Sequence, residues 1–368
     1  MSSYRVDQIG SLIRPARLLN ARDEFKNGSI SRDALRLIED DCVLEVLELQ
    51  RAAGMSIFTD GEMRRDAWQT VFSEAVDGFE PDYPIREVEL EDGRRLKLQM
   101  HVKAINGKLK QHKRLAQVDA TFLRQHAPGP FKITMPSPAV VARYSYKRGI
   151  TDAAYPDVAE LQRDVCEIVK QEMQALVNEG ARYLQLDEGF TIYAEPERMR
   201  MMANVREDPE QALERDIALE NACYDAVRKE GVTLAMHLCR GSRAGIARGR
   251  GDYDWLAMHL FDRLHVDRFL LEYDNETRVG GFEPLRHMPK GKVAVLGLVS
   301  SADPKLENQD DLLSRIDEAS KFCSLDQLAI SSQCGFQGAG SRDGAHMTID
   351  DEKRKLELLA DTARKVWG

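Results

Sequence analysis

The chain has 368 residues, with 52 Lys and Arg against 61 Asp and Glu and a formal net charge of −9. Charged residues make up 31% and the apolar set 43%, and no apolar run approaches the ~20 residues that a bilayer-spanning helix needs, so no membrane partner is expected. The acidic balance argues against a general nucleic-acid role, because a phosphate backbone rewards a basic footprint.

The opening residues Met1-Ser2-Ser3-Tyr4-Arg5 carry no apolar stretch of the secretory type, which points to a cytoplasmic, reducing setting. There, six cysteines do not suggest a disulfide framework. Cys42, Cys166, Cys223 and Cys323 fall in helix-like segments and read as small buried apolar residues. Cys239 and Cys334 remain for chemistry.

In chain order, a strand is expected around Val6 to Gly10, a helix over 31–53 and a strand at Ser56-Ile57-Phe58. Residues 84–115 break this rhythm. Val88-Glu89-Leu90 and Leu96-Lys97-Leu98 alternate around Glu91-Asp92-Gly93, and Val102-Lys103-Ala104-Ile105 precedes Asn106-Gly107, all hairpin signals. A small antiparallel insertion is therefore placed between the second and third barrel strands.

From residue 130 onward, short apolar runs alternate with long amphipathic stretches, as βα units do. The runs are Ile133-Thr134-Met135, Tyr183 to Leu186, Thr233 to Met236, Arg268 to Leu271, Val293 to Gly297 and Leu328 to Ile330. The helices are expected over 156–179, 210–229, 252–263, 309–322 and 350–366. With the two upstream strands this makes eight βα units, which predicts an α/β fold of the (β/α)8 TIM-barrel type spanning 1–368, with 84–115 as an insertion.

His237 and Cys239 lie two apart at the end of the run Thr233 to Met236, so both side chains project to one side. Glu272 follows Phe269 to Leu271, and Cys334 follows Leu328 to Ser332. In a barrel the C-terminal ends of the strands converge on one mouth. Two thiolates, an imidazole and a carboxylate suit Zn2+ better than Mg2+ or Ca2+, which prefer oxygen ligands. Ligands drawn from three strands, one of them a displaceable carboxylate, indicate a catalytic metal with Glu272 as the ligand that yields to substrate.

Two acidic pairs, Asp60-Gly61-Glu62 and Asp187-Glu188, close strands at the same mouth and suit a substrate ammonium group or proton transfer. The competing reading is a salt-bridge network with Arg64 and Arg65. Gly10-Ser11 offers backbone N–H groups to a carboxylate. The loop Arg240 to Gly251 carries four arginines, which suit an anionic tail or simply solvate the loop. Trp68, Trp255 and the set Met199, Met201 and Met202 read as packing residues as readily as site residues.

The segments Leu184-Gln185-Leu186-Asp187-Glu188, His237-Leu238-Cys239-Arg240-Gly241, Leu296-Gly297-Leu298-Val299-Ser300-Ser301 through Pro304, and Gln333-Cys334-Gly335-Phe336 together resemble the short single-barrel branch of the cobalamin-independent methionine synthase family. Ile9-Gly10-Ser11-Leu12 with Arg14-Pro15, Thr59-Asp60-Gly61-Glu62 with Arg64-Arg65 and Trp68, and Val366-Trp367-Gly368 extend the resemblance over nearly the whole chain.

The resemblance implies zinc held by His237, Cys239, Glu272 and Cys334. It also implies that Ile9, Gly10, Ser11, Glu62 and Asp187, with Glu188 close by, contact the amino-acid part of homocysteine, whose zinc-bound thiolate takes a methyl group. Asp187 and Glu62 are the carboxylates expected to act on the bound substrate.

This chain departs from the longer members in two ways. It has no room for their additional N-terminal barrel, which helps bind the folate donor. Where they place a proton-donating His after the seventh strand, it has Ala302.

The reading that follows is an S-methyltransferase acting on a small thiol, with a methyl-folate or another methyl or alkyl donor. The alternatives are opening of an epoxide by a sulfonate-bearing thiol, and a zinc or ligand-binding barrel without turnover. A metal-free porphyrin-decarboxylating barrel gives no reason for His237, Cys239 and Cys334 to share a register. The sequence assigns no oligomeric state.

Overall fold

The computed structural model describes residues 4–81, 85–89, 95–99, 102–194, 208–240, 242–243, 246–247, 251–336 and 347–368. Two helices, α1 (Ala16–Lys26) and α2 (Arg32–Ala52), precede an antiparallel region of β1 (Val76–Phe79), β2 (Ile85–Glu89), β3 (Arg95–Gln99) and β4 (Ile105–Gln111). There follow α3 (Gln117–His126), β5 (Ile133–Pro136), α4 (Pro138–Ser145), α5 (Val158–Asn178), β6 (Tyr183–Glu188), α6 (Pro209–Asp225) and β7 (Thr233–Leu238). The last part of the chain contains β8 (Arg268–Glu272), α7 (Glu276–Val279), β9 (Val293–Val299), α8 (Gln309–Ala319), β10 (Leu328–Ser332) and α9 (Ile349–Trp367).

Six of these strands form one parallel sheet in the order β10-β9-β8-β7-β6-β5. The two upstream strands are reduced to single parallel bridges, Val6 with Ile330 at one edge of the sheet and Phe58 with Phe131 at the other. Asp7 N–H donates to the Ile330 carbonyl at 2.9 Å, and Lys132 N–H to that of Phe58 at 2.8 Å, so both edges are covered.

Between those two segments the amide of Gln50, from α2, takes the place of a ladder. It accepts from Thr59 N–H and donates to the Thr59 carbonyl, both at 2.9 Å, and also accepts from the Gln8 amide. The result is the TIM barrel expected from the alternation of elements. Its first two strands are short because side chains do part of the pairing.

Strand faces sort cleanly. Leu234, Met236 and Leu238 of β7 belong to the apolar layer packed under the helices, whereas Ala235 belongs to a separate inner cluster with Ile9, Ile57, Tyr183, Leu270, Val295 and Ala329. Alternation with period two then puts His237 on the face of Ala235, Asp187 on that of Tyr183, and Glu272 on that of Leu270.

The helices start where their sequences provide a cap. Ser31, Ser137, Asp157, Asp208 and Asn308 each accept a backbone N–H of the first turn, and Thr348 with Asp351 forms a capping box on α9.

In the antiparallel region β2 pairs with β3, as the alternation on either side of Glu91-Asp92-Gly93 suggested, although that turn lies outside the described residues. Asn106-Gly107 is not a turn. It lies inside β4, which pairs with β1, and Gly107 sits opposite an irregularity where Gly78 has φ +105° and its Cα comes within 3.4 Å of a Cβ at Gly107.

Cys166 and Cys223, on α5 and α6, are buried with their sulfurs 3.8 Å apart, and Cys42 is buried on α2, in keeping with packing roles. Trp255 stacks on His259 at 4.0 Å, and Trp68 packs against the core. Met199, Met201 and Met202 lie outside the described residues. Among the described residues no helix is long and apolar enough to cross a membrane.

Candidate metal centre

His237, Cys239, Glu272 and Cys334 each offer a ligand atom, and these atoms all lie within 4.8 Å of one another. The two sulfurs are 4.0 Å apart. His237 and Glu272 are buried and the two cysteines half-buried, which leaves the group reachable from one side.

His237 is oriented by Asp187, whose Oδ1 lies 3.3 Å from the ring Nδ1. The other nitrogen, Nε2, is buried and has no hydrogen-bond partner among the described residues. A buried ring nitrogen left this way is costly unless something occupies it. Burial works against charge on this ring, but the hydrogen bond to Asp187 and the negative potential of Cys334, Asp187 and Glu272 outweigh it and raise its pKa. A metal entering here displaces that proton.

Local structure fixes the other candidate ligands. The Tyr253 hydroxyl donates to the Leu238 carbonyl at 3.2 Å and accepts Glu272 N–H at 2.9 Å, tying the ends of β7 and β8 together. Glu272 Oε1 accepts Arg240 N–H at 2.7 Å. Cys334 comes off β10 over Gly297, where a Cβ would stand 2.7 Å from both Gln333 Cα and the Leu271 carbonyl oxygen. Only glycine allows that approach. Gln333, fully buried beside Cys334, accepts from Ser301 N–H at 2.9 Å and from Ser301 Oγ at 3.0 Å.

The residues expected at the substrate's amino-acid end join the same mouth. Glu62 has φ +57°, a left-handed backbone that a glutamate adopts only when its surroundings hold it. Here Asp60 Oδ1 accepts Glu62 N–H at 3.2 Å, and the Glu62 carboxylate accepts from Ser11 Oγ and, at 2.9 Å, from Thr134 Oγ1. Arg65 faces the same carboxylate at 3.6 Å. Gly10 lies against it, since a Cβ there would meet Glu62 Oε1 at 2.7 Å.

Two links connect this end to the metal group. Gln185 donates from one amide nitrogen to the Ile9 carbonyl and to Asp187 Oδ1, both at 2.8 Å. The Ser11 carbonyl accepts Phe336 N–H at 2.8 Å, two residues beyond Cys334.

Sequence reasoning did not single out Gln185, Gln333, Lys132 or Arg278. Lys132 is buried and donates to Asp7 and to Gln185 Oε1, both at 2.7 Å, which sets the direction of the Gln185 amide. The available signal was position: Gln185 precedes Asp187 by two residues on the inner face, and Gln333 adjoins Cys334. The side chain of Glu188 lies outside what is described. So do those of the arginine-rich loop beyond Arg240, which is itself buried with its guanidinium 3.9 Å from the centre of the Tyr253 ring.

A family model described as the cobalamin-independent synthase catalytic domain matches residues 6–348. The uncharacterized proteins YxjG and YxjH of Bacillus subtilis (strain 168) are each 33% identical, over 99% of this chain and 95% of theirs. A methionine synthase of Sulfurisphaera tokodaii is 25% identical over 89% of this chain and 85% of its own.

Among solved structures, the putative vitamin-B12-independent methionine synthase of Listeria monocytogenes superposes with a TM-score of 0.74 at 27% identity, covering 99% of this chain and 98% of that one. A match over residues 6–348, with relatives that align almost end to end, places this chain in the cobalamin-independent methionine synthase family.

Proposed function

We propose that the chain is a zinc-dependent S-methyltransferase of the methionine synthase type, with homocysteine as the methyl acceptor. The observation that carries this reading is the partnerless, Asp187-oriented Nε2 of His237 grouped with Cys239, Cys334 and Glu272.

The donor set fits zinc. Two Zn–S bonds of about 2.3 Å at a tetrahedral angle would set the sulfurs about 3.8 Å apart, close to the 4.0 Å here. A His donating its other nitrogen to a carboxylate is the usual support for a zinc-ligating imidazole. Zinc in this site would supply stabilisation of a thiolate at neutral pH, where an alkyl thiol is otherwise mostly protonated.

The chain's own residues do the rest. Glu62 and Asp187 present carboxylates to the substrate ammonium, and Gly10 and Ser11 bring backbone to its carboxylate. The Gln185 bridge keeps the Ile9 segment and Asp187 in fixed relation, so the amino-acid end and the sulfur end of the substrate are positioned together. In the transfer, the sulfur lone pair forms a bond to the methyl carbon while the bond from that carbon to the donor breaks, its electron pair leaving with the donor.

A leaving amine would need a proton. Beside Ala302, Ser300 and Ser301 carry hydroxyls and Glu307 is held by Lys355 at 2.9 Å through both oxygens, whereas the adjacent Asp303 is exposed, its Oδ1 accepting Lys305 N–H at 2.9 Å. The donor is a methyl-folate whose leaving amine takes its proton from Asp303 or solvent, or a methyl donor whose leaving group departs without one. The test is to assay purified protein with zinc for methionine formation from homocysteine and a panel of methyl donors, with 2-mercaptoethanesulfonate and an epoxide in parallel. Methionine formation supports the reading. Product only from the sulfonate thiol, or tight zinc with no product at all, overturns it.

A further inference from the structure

One of the four candidate ligands, Glu272, is held by groups outside the set. Besides the bond from Arg240 N–H to Oε1 at 2.7 Å, Glu272 Oε2 accepts from Arg278 Nη2 at 2.9 Å and lies 3.4 Å from the Gln333 amide nitrogen. Arg278 and Gln333 are themselves fixed. Arg278 also reaches Asp274 Oδ1 at 2.5 Å, and Asn275, which caps the one-turn helix α7, accepts Arg278 N–H at 3.2 Å. Gln333 is pinned by Ser301. The carboxylate thus has a complete seat built from protein donors on three different segments, which His237 Nε2 does not have.

A carboxylate oxygen serving a buried guanidinium has less charge to give a cation on its other side, so Arg278 and a metal ion compete for Glu272. We propose that Arg278 is a positioning residue that receives the Glu272 carboxylate when a substrate thiol takes its place among the ligands, and thereby sets the balance between metal retention and thiol entry. The charges agree. One anionic ligand replaces another, the displaced carboxylate is neutralised by Arg278, and the thiol proton passes to solvent. The inference rests on the zinc-thiol reading above and adds to it a residue outside the ligand set.

The test uses the full chain, with Asp274→Asn and Arg278→Gln combined so that Asp274 is not left as a second unpaired carboxylate beside Glu272. Zinc affinity is measured by chelator competition, and thiol entry by titrating L-homocysteine into cobalt(II)-substituted protein and following the thiolate-to-metal absorption band. Zinc should be held about tenfold more tightly and half-saturation with homocysteine should require about tenfold more thiol, the scale of one charge-assisted hydrogen bond. Arg278→Lys, which keeps the charge but loses the planar fork, should move both in the same directions by less, and it carries the test should the double variant not fold.

Looser zinc in either variant would mean that Arg278 only buttresses the site, and unchanged values would mean that it does not compete for Glu272. Either result overturns the inference while leaving the zinc-thiol reading standing. Wild-type protein that binds no zinc, or shows no thiolate band, overturns both.

Discussion

Asp187 Oδ1 lies 3.3 Å from His237 Nδ1, and the same oxygen accepts the Gln185 amide at 2.8 Å, so one carboxylate orients a candidate metal ligand and is tied through Gln185 to the Ile9 segment. Its two duties separate by substitution. Asp187→Asn keeps an oxygen for the ring N–H but loses the charge that would hold an ammonium. KM for homocysteine should rise at least tenfold while zinc content stays near one. Asp187→Ala removes both, and zinc affinity should fall about ten- to a hundredfold. Chelator competition beside steady-state kinetics checks the split.

Cys239→Ser and Cys334→Ser replace a thiolate with a poor zinc ligand. Each should lose most of the metal and all thiol activation without unfolding, because both sulfurs are half-buried at the mouth rather than packed in the core. Metal analysis and thermal melting report the two effects independently.

Gly297→Ala places a methyl group against backbone, 2.7 Å from Gln333 Cα and from the Leu271 carbonyl oxygen, and backbone cannot rotate away. A loss of about 2–4 kcal/mol in stability is expected, with weakened metal retention because Cys334 must shift. Gly10→Ala meets the end of the Glu62 side chain at 2.7 Å, a contact relieved by shifting a carboxylate that Ser11 and Thr134 hold. Its stability cost should be smaller than that of Gly297→Ala and its effect on KM large. Denaturant melts and kinetics on the two variants test the contrast.

Glu352 is fully buried on α9, accepts Ile13 N–H at 2.8 Å, and is raised by burial to a pKa of about 8, a shift that this hydrogen bond only partly offsets. An acid whose folded pKa exceeds its unfolded value near 4.5 binds more protons when folded. Its stabilising contribution is complete below about pH 4.5 and is lost as pH rises through about 8. Glu352→Gln keeps an acceptor for Ile13 and removes the titration. The variant should melt at a higher temperature than wild type at pH 8, and the difference should shrink towards pH 5.

The barrel was legible because its strands from Ile133 onward are buried on both faces and alternate with capped helices. The grouping of His237, Cys239, Glu272 and Cys334 was legible because each stands at or just past a strand end. The first two strands were harder to delimit, since Gln50 supplies pairing that no strand pattern encodes. Asn106-Gly107 misled because the pattern that marks a tight turn also accommodates a close approach of two strands, here at Gly78. Gln185, Lys132 and Gln333 act through hydrogen bonds made across the barrel. Arg278 reaches Glu272 only after the chain turns through α7, and sequence spacing carries no sign of that.

Zinc K-edge absorption of the purified protein before and after addition of homocysteine tests the zinc-thiolate reading most directly. The expected result is one zinc per chain with two sulfur neighbours and nitrogen or oxygen completing the shell, gaining a third sulfur and losing an oxygen when homocysteine binds. A protein that takes up no zinc, or whose zinc spectrum is unchanged at saturating homocysteine, would contradict it.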